Sequence, residues 1–464
     1  MQQKKLLDNP KFYYVSFSII IIARLILNAV IPLMDKTEAR YAEIARIMAE
    51  TGNWVTPQID YGIPFWAKPP LSTWLSAICI KMLGVNEFAV RFPSFAISIL
   101  LLLLMKPIAR RLNINLIIPA FILFTIPEFL LHVGVVSTDM SLLLCLTFIM
   151  IAFWEAFHEG KTYWKYLFFA AIGVGLLAKG PIVIVLTAPP IFIWALLFKK
   201  LKKIFTSLPW ILGILIVLII ATPWYYLAEK RTPGFIDYFI VGEHFKRFFD
   251  SAWKGDKYGF PKMQPLGIIW VFLLGLSLPW IIFFGNKLIT FRKIIFKDEW
   301  LTFLFLWIIW TPIFFTTSKS LIHTYILPTS VPLALFVSTF WNELKNKKTY
   351  VYTSLIVPIV SIVLIILFFI PGIFEKNTNT DKYILENHHS KMIYYLGEKT
   401  YSSQFYSEGK VKTITEDDFV KKALDHEKFD LIISKDDSNI VKKYNYFTKI
   451  GEGRKSFIYT NNTK

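Results

Sequence analysis

Cysteine is scarce in this chain. There are two in 464 residues, Cys79 and Cys145, and each sits inside an apolar stretch. That excludes a fold built on disulfides and any cysteine cluster with metal-ligand spacing. Charge is scarce as well, at 18% of residues, where a soluble domain carries about 25%. Acidic residues are in shortest supply: 33 against 51 Lys and Arg, a formal net charge of +18. No internal repeat or low-complexity linker can be found, so the duplicated halves common in transporters are not evident. Apolar sequence fills the space, with 55% hydrophobic residues and 17% aromatics, among them 42 Phe. This composition excludes a disordered chain and argues against an ordinary soluble enzyme. It describes a polytopic membrane protein with some soluble mass. The basic residues mostly flank apolar runs, so they read as topology signals, and the expected partner is membrane lipid, not nucleic acid.

A spanning helix needs about 20 mostly apolar residues to cross about 30 Å of hydrocarbon. Runs at 12–33, 88–105, 114–131, 140–157, 164–178, 181–198, 207–228, 265–286, 300–317, 321–341 and 350–371 predict about eleven such helices. The first run has no short core and no small-residue cleavage site, so it reads as a retained helix and not a signal peptide. Segment 71–83 is apolar but short, and fits an interfacial helix. With Lys4, Lys5 and Lys11 cytoplasmic, the densest basic loops (Lys106/Arg110/Arg111, Lys199–Lys203, Lys287–Lys297 and Lys345–Lys348) fall on the same side. That satisfies the positive-inside rule. Residues 1–371 are expected to form the membrane domain, with outer loops 35–87 and 229–264 carrying the site. Residues 372–464 turn polar and are expected to form a small external α/β domain, with short runs at 392–396, 430–434 and 456–460 and a helix at 416–429.

Ionisable groups at membrane boundaries carry the functional information, because charge inside a bilayer is costly. They gather on the outer side. The first loop holds Asp35, Glu38, Arg40, Tyr41 and Lys68, and Asp139 precedes a later span. Lys179, the pair His244 and Arg247, then Lys319 and Tyr325 follow. Carboxylates, fixed cations and aromatics beside lipid suit a substrate with an apolar tail and an anionic head. Lys and Arg can hold phosphate, and a carboxylate can act as general base. Each residue also has a plain structural reading. Arg40 could pair with Glu43 or Glu50 along a helix, Lys68 could snorkel and Asp139 could cap its helix. His244 could bond a backbone carbonyl, Lys179 could mark a helix end and Tyr325 could belong to an aromatic belt.

The stretch Thr37-Glu38-Ala39-Arg40-Tyr41-Ala42-Glu43-Ile44-Ala45-Arg46, then Gly52-Asn53-Trp54-Val55-Thr56-Pro57, then Lys68-Pro69-Pro70-Leu71 with Trp74, resembles the signature of the bacterial aminoarabinose transferases. That family is related to the protein O-mannosyltransferases, and both have the GT-C glycosyltransferase fold. Asp139, Lys179-Gly180-Pro181, Glu243-His244, Arg247-Phe248, Lys319, Tyr325 and Pro328 follow in family order.

The resemblance implies a multi-pass transferase of the bacterial inner membrane, with a cytoplasmic N-terminus and a periplasmic C-terminal domain. Its donor would be a polyprenyl (undecaprenyl) phosphate sugar, and its acceptor lipid A of lipopolysaccharide. By position, Lys68 and Arg247 would hold the donor phosphate. Asp139, Glu38 and Asp35 are the catalytic candidates, and Arg40, Tyr41, Lys179, His244, Lys319 and Tyr325 would line the substrate cavity. No cofactor is implied beyond the lipid-linked donor, and the need for a metal is left open. The chain departs from the family at two positions. Thr37 stands where many members have Asp, and Ala67 where many have Glu, so His244 alone does not make a metal site. Alternatives are a transferase acting on protein or another envelope glycan, a lipid transporter or flippase, and a non-catalytic scaffold.

Overall fold

Each of the eleven apolar runs falls in helix in the computed structural model, which describes residues 7–158, 161–250, 253–259, 263–388 and 390–461. Lys4 and Lys5 lie outside the described residues. Among the described residues five helices are long and apolar enough to cross a membrane: Pro10–Val30, Glu87–Arg111, Asp139–His158, Trp210–Arg231 and Lys347–Phe368. A sixth forms if Ile268–Leu276 and Trp280–Ile295, bent by 106° at a break holding Pro279, make one span. The other runs are helical but short or divided. Pro127 starts a new helix after Ile117–Phe124, because proline has no N–H for the preceding turn. The run at 321–341 begins as a 3₁₀ turn, His323–Thr329, before the helix Ser330–Thr339. Length and composition mark five or six of these helices as full spans, with the shorter apolar helices packed among them, and the chain is a multi-pass membrane protein.

Helix periodicity separates core from lipid. On Trp210–Arg231, Ile211, Leu215 and Ile219 recur every four residues and are all exposed, an apolar stripe that suits acyl chains. Inward-facing aromatics fill the interior, with Phe153, Trp154, Trp194 and Phe303 packed ring against ring. The buried Trp194 indole N–H donates to the Glu299 carbonyl at 2.9 Å, so its one polar atom is satisfied. Arg111, exposed at the end of its helix, reaches the buried Glu155 at 2.8 Å and supplies its counter-charge.

The first long loop folds into the helix Thr37–Thr51, the hairpin of β1 (Gln58–Asp60) and β2 (Ile63–Pro64), and the 13-residue helix Leu71–Leu83. The last region builds a five-stranded sheet from β3 (Ile393–Leu396), β4 (Lys412–Ile414), β5 (Asp430–Ser434), β6 (Thr448–Glu452) and β7 (Ser456–Thr460), in the order β4-β3-β5-β7-β6. β4, β3 and β5 run parallel, and the helices Tyr401–Tyr406 and Glu416–Leu424 supply the crossovers that parallel pairing requires. Thr400 and Thr415 cap those helices through their hydroxyls.

This sheet domain is fastened to the first loop. Asp35 accepts from the Ser402 N–H at 3.0 Å and from its hydroxyl, and Lys399 pairs with Asp60 at 2.8 Å. Glu87 accepts from Lys382 and from the Tyr406 hydroxyl at 2.7 and 2.9 Å. Burial raises the Asp35 carboxyl to about 6 and outweighs the Ser402 hydrogen bonds that act the other way.

Candidate active site

Two prolines fix where Lys68 stands. A residue before proline is held extended, and Pro69-Pro70 then lead straight into Leu71–Leu83. The side chain meets the second long loop, where Asp237–Lys246 forms a π-helical turn. Lys68 Nζ lies 2.8 Å from Glu243 Oε2. Arg247, four residues after Glu243, donates from Nη1 to Oε1 and Oε2 at 3.0 and 3.1 Å. Glu243 is 4% exposed. Burial alone would raise its carboxyl, but Lys68 and Arg247 outweigh burial and hold it at about 2. The Arg247 Nε also lies 3.6 Å from Asp256 Oδ2.

The second cluster joins the ends of two consecutive helices. Asp139 opens Asp139–His158 and Lys179 closes Thr162–Lys179, so this hairpin of helices returns them to the same end. Lys179 Nζ lies 2.5 Å from Asp139 Oδ1 and 5.1 Å from the centre of the Tyr325 ring. The Ser137 hydroxyl accepts from the Asp139 N–H at 3.2 Å, so the carboxylate itself is not taken up in capping. His244, next to Glu243, lies with its Nε2 3.4 Å from the Lys179 carbonyl, so the two clusters are neighbours.

Gly180 lets them approach. It has φ +79°, and a Cβ there would lie 2.6 Å from the Phe239 ring and 3.2 Å from His244 Cε1. His244 Nδ1–H donates to the Phe239 carbonyl at 2.7 Å, and Nε2 lies 3.4 Å from the Lys179 carbonyl. Burial lowers the imidazole's pKa and outweighs the two carbonyl contacts, which act the other way.

The remaining candidates divide. Arg40 donates to the Tyr258 carbonyl and lies 5.5 Å from the Tyr41 ring and 5.7 Å from the Phe65 ring, joining the two long loops. It is Arg46, not Arg40, that pairs with Glu43 and Glu50, at 2.7 and 2.6 Å. Glu38 is gripped by the buried Arg91, whose Nε and Nη2 donate to its two oxygens at 2.8 and 2.9 Å. Asp35 is held by Ser402 of the sheet domain. Glu38 is thus tied to Arg91 and Asp35 to the sheet domain, whereas Asp139 is paired with Lys179. Lys319 is exposed, and its backbone carbonyl accepts from Gln264.

Three features escape sequence reading. Glu243 reaches Lys68 across 175 residues and so ties it to Arg247, a link no spacing reveals. Arg91 lies within an apolar run and gives no sign of its partner. Glu128, fully buried inside the run 114–131, accepts from His323 Nδ1 at 2.9 Å and lies 3.3 Å from His132. Among the described residues no group of three or more His, Cys, Asp or Glu side chains is arranged to hold a metal ion. Beside the site, Ile59, Ile63, Pro64, Trp66, Lys257 and Tyr258 line a cleft of about 250 Å³.

The sequence matches a model of the dolichyl-phosphate-mannose-protein mannosyltransferase family over residues 13–239. An undecaprenyl phosphate-alpha-4-amino-4-deoxy-L-arabinose arabinosyl transferase from Shewanella sediminis is 30% identical over 359 residues, covering 73% of this chain and 62% of the relative. The protein of that name from Aeromonas hydrophila is 33% identical over 319 residues, covering 66% of this chain and 56% of the relative. The chain thus spans about three fifths of the length of these curated relatives. A crystal structure of ArnT from Cupriavidus metallidurans bound to undecaprenyl phosphate shares the fold, with TM-score 0.78 and 16% identity over 97% of this chain and 98% of that one. Family match, relatives and shared fold agree with the first-loop motif and support an aminoarabinose transferase-like, protein mannosyltransferase-related family with the GT-C fold.

Proposed function

We propose that this chain is an integral-membrane glycosyltransferase that moves a sugar from an undecaprenyl phosphate carrier to lipid A at the periplasmic face of the bacterial inner membrane. The observation that carries the reading is the pair of cations, Lys68 and Arg247, brought from two loops onto the one carboxylate of Glu243, whose neighbour His244 reaches the backbone of the Asp139-paired Lys179. Relatives named for an undecaprenyl phosphate-linked sugar support the donor class. The basic clusters at the opposite ends of the helices support a cytoplasmic N-terminus and a periplasmic site, with residues 372–464 as a periplasmic domain over a membrane domain of residues 1–371.

In the reaction an acceptor oxygen forms a bond to the anomeric carbon while the bond from that carbon to the donor phosphate oxygen breaks. The electron pair goes to the phosphate, whose charge grows from about −1 to as much as about −2. Lys68 and Arg247 stabilise the charge where it develops. Asp139, already paired with Lys179 at 2.5 Å, is better placed to orient the acceptor or steady positive charge on the sugar ring than to take a proton. That favours an acceptor which needs no deprotonation, such as a lipid A phosphate, anionic near neutral pH. Tyr325, Tyr41 and Arg40 line the approach.

A second reading has an acceptor hydroxyl on protein or another envelope glycan. The match to a protein mannosyltransferase model favours it, and Asp139 would then have to act as general base. Mass spectrometry of lipid A from cells with and without the protein separates the two. A sugar-sized mass lost on deletion and in Lys68→Ala supports lipid A, and an unchanged lipid A excludes it as the acceptor.

A further inference from the structure

Glu243 touches both cations assigned to the donor phosphate. Oε2 lies 2.8 Å from Lys68 Nζ, and the two oxygens lie 3.0 and 3.1 Å from Arg247 Nη1. A carboxylate and a phosphate offer these donors the same thing, a delocalised set of anionic oxygens. A phosphate that accepts from Lys68 Nζ and Arg247 Nη1 must take those bonds over from Glu243. We propose that Glu243 is a built-in competing anion, which yields the two cations to the donor phosphate and reclaims them as polyprenyl phosphate leaves. The inference rests on the transferase reading given above and adds a residue that sets donor affinity and product release.

Three observations support it. The carboxyl is held at about 2, so it is an anion, and a competitor, throughout the physiological range. It is tethered, four residues from Arg247 on the same turn, so its effective concentration at the cations is in the millimolar range or above. The Tyr238 hydroxyl, 3.4 Å from Oε1, offers the displaced carboxylate another donor.

The chemistry gives the competitor a purpose. The donor is a phosphodiester with one negative charge, whereas the departing monoester approaches two. Two fixed cations alone would therefore hold the product more tightly than the donor and stall turnover. An internal carboxylate that returns to the cations weakens both ligands by the same factor, and so keeps the more tightly held product from stalling release.

The test uses the full chain in lipid nanodiscs, with undecaprenyl phosphate as the binding probe. Glu243→Gln keeps the shape and removes the charge. It is expected to bind the probe about tenfold more tightly, since the competing anion is gone, while Glu243→Asp stays near wild type. In steady-state transfer Glu243→Gln is expected to lower both the donor KM and kcat, because product leaves more slowly. Glu243→Asn carries the same expectation if the Gln variant does not fold. Unchanged or weaker binding by a folded, charge-free variant overturns the proposal and leaves Glu243 as a residue that merely positions the cations. Lys68→Ala and Arg247→Ala serve as controls. If they lose the probe, the donor site stands whatever Glu243 does, and if they bind as wild type, both readings fail.

Discussion

Lys179 Nζ lies 2.5 Å from Asp139 Oδ1, linking the last residue of one helix to the first residue of the helix before it. Each charge also suits its own helix: an acid at an N-terminus and a base at a C-terminus both oppose the helix dipole. The pair is therefore stable where it stands, and it fixes a carboxylate at the mouth of the helical mass, next to Tyr325.

Breaking that pair should affect stability and activity separately. Asp139→Asn leaves Lys179 buried without its counter-charge, at a cost of about 3–5 kcal/mol, and should lower the transfer rate about 100-fold or more. The double variant Asp139→Asn with Lys179→Met should regain most of the stability but none of the rate. Thermal unfolding and transfer assays on both variants read the two effects.

Glu38 should behave as a brace. Glu38→Gln removes the charge that neutralises Arg91, so we expect a loss of about 3 kcal/mol or more. The rate per folded molecule should fall only a few-fold. Denaturation in detergent together with active-fraction kinetics checks this, and a large rate loss at unchanged stability would restore Glu38 to the chemistry.

The junction of the sheet domain should tighten as pH falls. The Asp35 carboxyl is raised to about 6 from its ordinary 3.8, so the folded state holds its proton over a range where the unfolded chain has lost it. The resulting stability is complete below the ordinary value and is lost as pH rises through about 6. Burial shifts Asp381 in the same direction, and the Glu43 carboxyl to about 7. Hydrogen-exchange protection across 400–406, corrected for the intrinsic rate at each pH, should be greater at pH 5 than at pH 7.5, and Asp35→Asn should reduce the difference.

Gly180→Ala should damage the site without touching a charge. The new Cβ would meet Phe239 at 2.6 Å on a backbone with φ +79°, so we expect a cost of about 1–3 kcal/mol and a transfer rate reduced at least tenfold as the loop carrying His244 and Arg247 shifts. Parallel melting and rate measurements test it.

What the sequence makes legible follows from how local each signal is. Hydropathy locates the helices, but Pro127, Pro279 and the 3₁₀ turn at His323–Thr329 divide runs that read as continuous. In the sheet domain, runs at 430–434 and 456–460 fall on β5 and β7, since both are apolar and bounded by polar turns. The polar strands β4 and β6 give no such pattern and become strands by pairing with β3 and β7. At the site, Lys68, Arg247, Asp139 and Lys179 can be picked out because charges at span ends are conspicuous. Their partners cannot, because Glu243 with Lys68, Arg91 with Glu38 and Ser402 with Asp35 meet only after folding.

The central claim is that Lys68 and Arg247 hold the phosphate of a lipid-linked sugar while that sugar is transferred. The direct measurement incubates the purified chain in nanodiscs with labelled undecaprenyl phosphate sugar and lipid A, and follows both label transfer and release of undecaprenyl phosphate. The account predicts stoichiometric transfer and release by the wild type, and a loss of at least 100-fold in Lys68→Ala. A wild-type protein that never consumes the donor with any acceptor, or a Lys68→Ala protein that consumes it at the wild-type rate, would contradict it.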